Sequence, residues 1–365
     1  MTSSTTPHRH ADDRAQNSAQ DSVHDSAQDS VHDERAPNER PVAAVAPQRF
    51  AIDTARGRGT VPLYTSSGWN APRNDATRAV ILLHGRLRNA DAYFALAQRA
   101  RDGAHAAGNR AAQDTLLLVP QFLADADIDA HRLPPSTLRW DWTNWMGGDD
   151  AHGPAPLSSF DVVDALLAAL ADTVRFPVLR EVVIAGHSGG AQVVQRYAVL
   201  AAGEAALAAR GVALRYVIAN PSSYVYFDAQ RPDGAGGFAP FDAARCPGFN
   251  RWKYGLDALP PYARAMQTND TATLDPRALE AQYARRHVIL LLGERDCDPA
   301  HPALDRSCEA MTQGAHRLAR GRAWAQYMRA RHPHASTHTT HEIAGAGHDA
   351  DAIFGSPAGR EALFG

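Results

Sequence analysis

Short, nearly continuous apolar runs alternate along this chain with longer, alanine-rich amphipathic stretches. The runs consist mainly of valine, isoleucine and leucine and cover residues 79–83, 115–119, 181–185, 214–219 and 287–292. Strands that are buried on both faces of a parallel sheet have this composition, because helices cover both faces. Strands that alternate with helices are typical of the α/β class. The pattern therefore predicts a mostly parallel central sheet flanked by helices.

The amphipathic stretches indicate where the helices lie. Their periodicity predicts helices at about residues 90–101, 159–173, 190–209, 302–319 and 322–331. A last strand is predicted near residues 337–343, close to the C-terminus. The α/β pattern thus extends from about residue 60 to the end of the chain.

The first 47 residues differ from the rest of the sequence. They are rich in Asp, Ser, Gln and His and contain an imperfect repeat, in which residues 20–27 are followed by the similar residues 28–33. Such a segment has almost no apolar surface to bury, so we expect residues 1–47 to be disordered. One domain is predicted over residues 48–365.

Composition argues against several classes of function. The formal net charge is -3 and no basic stripe with interleaved aromatic residues is present, so nucleic acid is not an expected partner. No stretch approaches the roughly 18 apolar residues that span a bilayer, and the N-terminus lacks the apolar core of a secretory signal. We therefore expect no membrane span and a cytoplasmic location. Neither His-Glu-x-x-His nor paired Cys-x-x-Cys occurs, so no metal or other cofactor is expected.

Three cysteines, Cys246, Cys297 and Cys308, are too few for a disulfide framework. One interpretation is that all three are inert thiols. The alternative is a local disulfide between Cys297 and Cys308, which lie close together in the sequence.

Two long segments interrupt the α/β alternation, at about residues 122–157 and 224–280. Loops of this length are uncommon in a compact domain unless they carry function, so we interpret both as insertions that form a lid or pocket wall. Trp142, Trp145 and Tyr224 are candidate substrate-pocket residues, because aromatic faces supply large contact areas. The alternative is that these aromatic side chains form the core of an irregular lid.

The segment Gly186-His187-Ser188-Gly189-Gly190 carries the strongest chemical signal. Ser188 directly follows an apolar run and directly precedes an amphipathic stretch, which is the context of a nucleophile elbow. In such a strand-to-helix turn the serine lies in a strained backbone conformation above the sheet. Ser188 is therefore the predicted nucleophile, and a plain glycine-rich turn is the alternative.

With this motif in this context, the chain resembles the α/β-hydrolase superfamily of serine esterases and lipases. In that superfamily the acid and then the histidine follow the serine, each in a loop after a late strand. The resemblance implies that Asp296 is the acid and that His348, in a glycine-rich loop near the C-terminus, is the general base. Asp298 is a close competitor as the acid, and Asp228 is a weaker one.

The resemblance also implies an oxyanion hole, in which backbone N–H groups bind the negative oxygen of the intermediate. Gly189, which follows the nucleophile, and Arg86, in the loop that begins His84-Gly85, are the predicted donors. We interpret the side chains of Arg86 and Arg88 as solvated or salt-bridged, with contact to an acidic substrate as the alternative.

The expected reaction is hydrolysis of a carboxylic ester through an acyl-enzyme. The expected substrate is a small-molecule, lipid-like or polyester-like ester. Cleavage of an amide or thioester, or acyl transfer, would use the same triad and is the alternative among enzymes. A non-catalytic binding module on the same fold is the alternative from another class.

Overall fold

A central sheet and the helices on its two faces make up the described part of the chain. The computed structural model describes residues 36–69, 71–266, 274–335 and 337–365. The strands are β1 (Gln48–Thr54), β2 (Gly57–Thr65), β3 (Arg78–Leu83), β4 (Thr115–Pro120), β5 (Leu123–Ala124), β6 (Arg139–Trp140), β7 (Glu181–His187), β8 (Ala213–Ala219), β9 (Gln230–Pro232), β10 (Phe238–Pro240), β11 (His287–Gly293) and β12 (His338–Ile343). The α-helices are α1 (Ala90–Ala106), α2 (Asp125–His131), α3 (Ser159–Leu170), α4 (Gly189–Leu200), α5 (Ala205–Ala209), α6 (Pro276–Arg285), α7 (Cys308–Met311), α8 (Arg317–Arg331), α9 (Ala350–Gly355) and α10 (Pro357–Phe364).

In these described ranges, no helix has both the length and the apolar character needed to cross a membrane.

The central sheet follows the order β1-β2-β4-β3-β7-β8-β11-β12. Its strands from β4 to β12 pair in parallel, whereas β2 pairs antiparallel with both β1 and β4. The predicted mostly parallel sheet flanked by helices is confirmed. The sequence of the β1–β2 hairpin contains no continuous apolar run. One face of β1 is exposed, so buried and exposed residues alternate along this strand.

Alternate residues of the parallel strands enter two different cores. Ile81 of β3 belongs to the core that contains Leu166 of α3, whereas its neighbour Val80 belongs to the core that contains Leu96 of α1. Side chains of successive strand residues point to opposite faces, so both faces of β3 are buried under helices. This burial on two sides explains the continuous apolar runs in the sequence.

Helix boundaries are the part of the secondary structure that the sequence predicts least well. The prediction of one helix over residues 302–319 is wrong. Only the short α7 forms within this range, and α8 begins at Arg317. The His316 side chain caps α8 by accepting a hydrogen bond from the Ala319 amide at 3.2 Å. The helix predicted over residues 190–209 is divided into α4 and α5.

Residues 36–47, which the predicted tail includes, contact the domain. The Val42 amide donates a 2.8 Å hydrogen bond to Asp127, whose carboxylate is also paired with the buried Arg88 guanidinium at 2.7 Å. These contacts place the start of the packed chain before residue 48, so the predicted boundary is too late. Residues 1–35, including the repeat, lie outside the described residues and their disorder stays a prediction. The ion pair also agrees with the interpretation of Arg88 as salt-bridged.

Cys246 and Cys308 form a disulfide, and Cys297 is exposed and unpaired. The alternative of a local disulfide between Cys297 and Cys308 is therefore wrong. The Cα atoms of Cys246 and Cys308 are 6.0 Å apart, within the range that a disulfide requires. The bond ties the second predicted insertion to the start of α7.

Removal of the disulfide is expected to destabilise the fold. A Cys246→Ser/Cys308→Ser double variant should lose about 2–4 kcal/mol of unfolding free energy, because the bond closes a long loop in the unfolded chain. Urea denaturation without reductant measures this loss, and Cys297→Ser is the matched control. Equal stability of the double variant and the control would contradict the pairing.

Candidate active site

Ser188 lies at a sharp turn between β7 and α4. Its φ is 56° and its ψ is -114°, a conformation that side chains other than glycine rarely adopt. A Cβ atom on Gly186 would lie 2.4 Å from the carbonyl carbon of Gly190, and one on Gly190 would lie 2.1 Å from the Leu83 carbonyl oxygen. Both positions therefore require glycine. The Ser188 amide donates a 2.9 Å hydrogen bond to the Ala219 carbonyl, which joins the turn to the end of β8.

Ser188, His348 and Asp296 form a continuous hydrogen-bonded chain. The distance from His348 Nε2 to Ser188 Oγ is 2.9 Å, and that from His348 Nδ1 to Asp296 Oδ2 is 2.7 Å. The side chains of His348 and Asp296 are 11% and 3% exposed. A carboxylate at Nδ1 holds the proton on that nitrogen and leaves Nε2 able to accept the serine proton. The structure thus brings together the three residues that the sequence singled out.

The competing acids lie elsewhere. Asp298 is exposed, and its carboxylate accepts the Ala300 amide at 2.8 Å in a local turn. The Asp228 carboxylate is paired with Arg331 at 2.5 Å and accepts the Tyr327 hydroxyl at 3.1 Å. Neither aspartate contacts the imidazole that bonds Ser188, so the geometry supports the first choice of acid.

Arg317, at the start of α8, holds the acid in place. Its Nη1 lies 3.2 Å from Asp296 Oδ1, and its Nε donates to Ser222 Oγ at 3.1 Å. Burial would raise the pKa of Asp296, but the hydrogen bond from His348 and the positive charge of Arg317 hold it below its usual value. The acid therefore stays ionised at neutral pH. The sequence carries no signal that distinguishes Arg317 from the many other arginines.

Two further imidazole rings enclose the His348 ring. The His187 ring centroid lies 4.6 Å from that of His348, and the His301 centroid lies 5.1 Å from it. His187 is buried, with Nδ1 3.2 Å from the Tyr93 hydroxyl, and burial lowers its pKa well below the usual value. Burial also lowers the pKa of His348, although Asp296 opposes this shift.

The backbone amide of Arg86 lies close to Gly189, the residue that follows Ser188. A Cβ atom on Gly189 would lie 2.9 Å from the Arg86 amide nitrogen. Within the described ranges, neither the Gly189 amide nor the Arg86 amide donates a hydrogen bond to a protein acceptor. Both are therefore able to bind a negative oxygen, and the N-terminus of α4 adds a partial positive charge there.

His84 fixes the loop that carries Arg86. Its Nδ1 donates to the Gly85 carbonyl at 2.8 Å, and its Nε2 accepts the Phe122 amide at 2.9 Å. Burial lowers the pKa of His84 to about 4, so the ring is neutral at ordinary pH and can make both bonds at once. The buried imidazole is thus a structural anchor rather than a reacting group.

Two cavities meet at Ser188, and Arg86 and Ala303 also line both of them. The first, of about 540 Å³, is lined by His348, His301, Tyr93, Leu96, Asp349 and Asp351 among others; we call it the His348 cavity. The second, of about 210 Å³, is lined by Thr143, Met146, Gly189, Gln192, Lys253 and Tyr254 among others; we call it the Lys253 cavity. Residues of both predicted insertions contribute to the wall of the Lys253 cavity.

The three aromatic residues proposed for the pocket line neither cavity. Trp145 and Tyr224 are fully buried, and Trp145 packs with its ring centroid 4.8 Å from that of His84. Tyr224 stacks on Trp324 at 5.5 Å. Trp142 lies under the Arg88 guanidinium at 5.0 Å. Their role as pocket residues is therefore corrected, since these rings stabilise the fold around the site.

Asp296 and Asp298 can be compared directly through the reactivity of Ser188. Asp296→Asn is expected to slow labelling by a fluorophosphonate about 10⁴-fold, because an amide favours the wrong imidazole tautomer. Asp298→Asn is the matched control and should label at the wild-type rate. The rates can be read from intact-protein mass spectra. Faster labelling of Asp296→Asn than of Asp298→Asn would assign the acid to Asp298 instead.

Comparisons with known proteins identify the architecture. No protein-family model and no curated protein matches the sequence. The chain is similar in structure to poly(aspartic acid) hydrolase-1 from Sphingomonas sp. KT-1, with a TM-score of 0.56 and 22% identity over 89% of this chain and 100% of that one. It is also similar to LpqC, a poly(3-hydroxybutyrate) depolymerase from Bordetella parapertussis, with a TM-score of 0.52 and 19% identity over 88% of this chain and 91% of that one. This chain therefore has the α/β-hydrolase fold, as the resemblance implied.

Proposed function

We propose that this protein is a serine hydrolase that cleaves carboxylic esters through an acyl-enzyme intermediate. The observation that carries the proposal is the hydrogen-bonded chain from Ser188 through His348 to Asp296, beside two adjacent unbonded amides. The two structural neighbours are named as a hydrolase and a depolymerase, which supports hydrolysis in general. The ester bond and the serine mechanism are inferred from the residues of this chain.

The first half of the reaction forms the acyl-enzyme. Ser188 Oγ attacks the acyl carbon while His348 Nε2 takes the hydroxyl proton, and the carbonyl electron pair moves onto oxygen. The amides of Gly189 and Arg86 donate hydrogen bonds to this oxyanion. When the carbonyl re-forms, the ester C–O bond breaks and the leaving alcohol receives the proton from His348. Asp296 stabilises the imidazolium in between.

The second half of the reaction regenerates the serine. A water molecule loses a proton to His348 and its oxygen attacks the acyl carbon, again with the negative oxygen held by the two amides. The bond between the acyl carbon and Ser188 Oγ then breaks, and the proton on His348 returns to the serine oxygen. The products are the carboxylic acid and the unmodified enzyme.

The two cavities take different halves of the substrate. Because His348 must donate its proton to the leaving oxygen, the alcohol half occupies the His348 cavity. The acyl half then occupies the Lys253 cavity, which borders Gly189 and does not include the catalytic imidazole among its lining residues. The substrate therefore extends to both sides of Ser188.

Hydrolysis of 4-nitrophenyl butyrate tests the proposal. Ser188→Ala should lower kcat by about 10⁶-fold, because nucleophile and base act as a unit. The exposed Ser136, whose hydroxyl makes no bond within the described ranges, supplies the matched control Ser136→Ala. Single-turnover mass spectrometry should detect a butyryl adduct on Ser188. Undiminished hydrolysis by Ser188→Ala would exclude the proposed function.

The pH dependence of kcat/KM follows from the protonation of His348. The base must be neutral to accept the serine proton, so activity should rise with pH and then level off. Burial lowers the pKa of His348, so the midpoint should lie below the usual value of about 6.5. Initial rates with 4-nitrophenyl acetate between pH 4 and pH 8 give the midpoint. A midpoint above 6.5 would be inconsistent with a buried imidazole as the base.

A further inference from the structure

Lys253 is the only lysine in the sequence. The other 36 of its 37 Lys and Arg residues are arginines. This single lysine lines the Lys253 cavity together with Ser188 and Gly189. An ammonium group is a compact point charge with three donors, whereas a guanidinium is a planar fork. The chain therefore places its only side-chain ammonium in a cavity that the predicted nucleophile also lines.

The Lys253 ammonium has no anionic partner in the described part of the chain. No carboxylate of these residues lies within the 4.0 Å of an ion pair. The Asp305 carboxylate, in the same cavity, accepts the Tyr254 hydroxyl at 2.7 Å and the Ser307 amide at 3.0 Å. Burial and the nearby charge of Arg196 lower the pKa of Lys253, although the more distant carboxylates of Asp305, Asp149 and Glu309 oppose the shift. The Tyr254 ring centroid lies 5.8 Å from the ammonium nitrogen. A partly buried cation without an anionic partner is unfavourable, so a bound anion would stabilise it.

The Arg86 side chain provides a second unpaired cation at the same place. It lines both cavities, and among the described residues no acceptor or carboxylate is bonded to its guanidinium. Other arginines near the site are bonded within the protein, Arg88 to Asp127, Arg317 to Asp296, and Arg196 to neutral acceptors such as the Met146 carbonyl. The positive charge available to a ligand is therefore concentrated where the Lys253 cavity meets Ser188.

The two cavities differ in the acidic residues that line them. Asp349 and Asp351 line the His348 cavity beside the catalytic imidazole, where Asp351 is paired with Arg99 at 2.6 Å and Asp349 accepts the Asp351 amide at 2.9 Å. The Lys253 cavity contains Asp305, whose carboxylate is already bonded, and the unpaired ammonium. Of the two cavities, only the Lys253 cavity is lined by a side-chain ammonium, so an anionic group of the substrate is attracted to the acyl side of the scissile bond.

We propose that the acyl half of the substrate carries a second carboxylate, which binds the Lys253 ammonium in the Lys253 cavity. The inference rests on the proposed function, because it takes the acyl half to lie in that cavity. The substrate class is then the half-esters of dicarboxylic acids and longer esters whose acyl unit bears a carboxylate. A hydrogen bond between an ammonium and a carboxylate is charge-assisted and stronger than a neutral one.

A matched pair of esters tests this proposal. Mono-4-nitrophenyl adipate and 4-nitrophenyl hexanoate have acyl chains of equal length that end in a carboxylate and a methyl group. The wild-type protein should prefer the adipate ester by about 10-fold or more in kcat/KM, and Lys253→Met should reduce this preference about 10–100-fold. Lys253→Arg should retain most of it, because the charge remains.

Arg58→Met is the matched control for a general loss of positive charge. Arg58 is exposed and paired with Asp53 on the hairpin of β1 and β2, and its replacement should leave the preference unchanged. A wild-type preference for hexanoate, or an unaltered preference in Lys253→Met, would overturn the proposal. Hydrolysis of neither ester would instead overturn the proposed function.

A second measurement needs neither catalysis nor a substitution of Lys253. Reductive methylation with ¹³C-formaldehyde labels Lys253 and the N-terminal amine and keeps the positive charge on both. Adipate should shift the Lys253 NMR signal in the Ser188→Ala protein, with saturation, and hexanoate should shift it much less. Equal effects of the two acids, or none, would overturn carboxylate binding even if esters are hydrolysed.

Discussion

The parallel pairing of β3, β7, β8, β11 and β12 is the constraint on which the rest of the structure depends. Main-chain hydrogen bonds hold Leu83 opposite Gly186 and Gly293 opposite Ile343. Because the strands run in the same direction, the loops that follow them leave from one edge of the sheet. Ser188, Asp296, His348 and the loop after β3 that carries Arg86 are therefore brought together although they are far apart in sequence. No single side-chain contact could bring these segments together. Each contact in the site depends on the register in which the strands pair.

Burial then determines how each charge in and around the site is used. Arg317 is buried against Asp296, so it positions the acid and keeps it ionised. Arg88 is buried in an ion pair with Asp127 and also donates to the Arg40 carbonyl, which joins the chain before β1 to the loop after β3. Arg86 and Lys253 lie at the cavities without such partners. Chemically similar side chains thus divide into those that stabilise the fold and those that line the cavities at Ser188.

The fold and the proximity of Ser188, His348 and Asp296 could be predicted because their signals are local. Burial on both faces leaves a continuous apolar run within each parallel strand, and the fold fixes the order of the three triad residues along the chain. Other features of the structure could not be predicted, because they depend on contacts between segments that are distant in the sequence. Arg317 reaches its partner from another element, and the disulfide of Cys246 joins segments that are 62 residues apart. The place of Trp145 in the core could not be predicted for a different reason, since a large aromatic ring suits a core as well as a pocket. Lys253 carried a compositional signal, because it is the only residue of its type.

The backbone at Ser188 has a consequence for how the protein would respond to selection. A non-glycine residue at a φ of 56° and a ψ of -114° costs about 1–3 kcal/mol of stability. Glycine at this position would remove the penalty and, with it, the proposed nucleophile. Stability and the proposed activity are therefore in direct conflict at this turn. A screen for thermostability alone would favour the loss of the serine, so directed evolution of this chain must select for turnover at the same time.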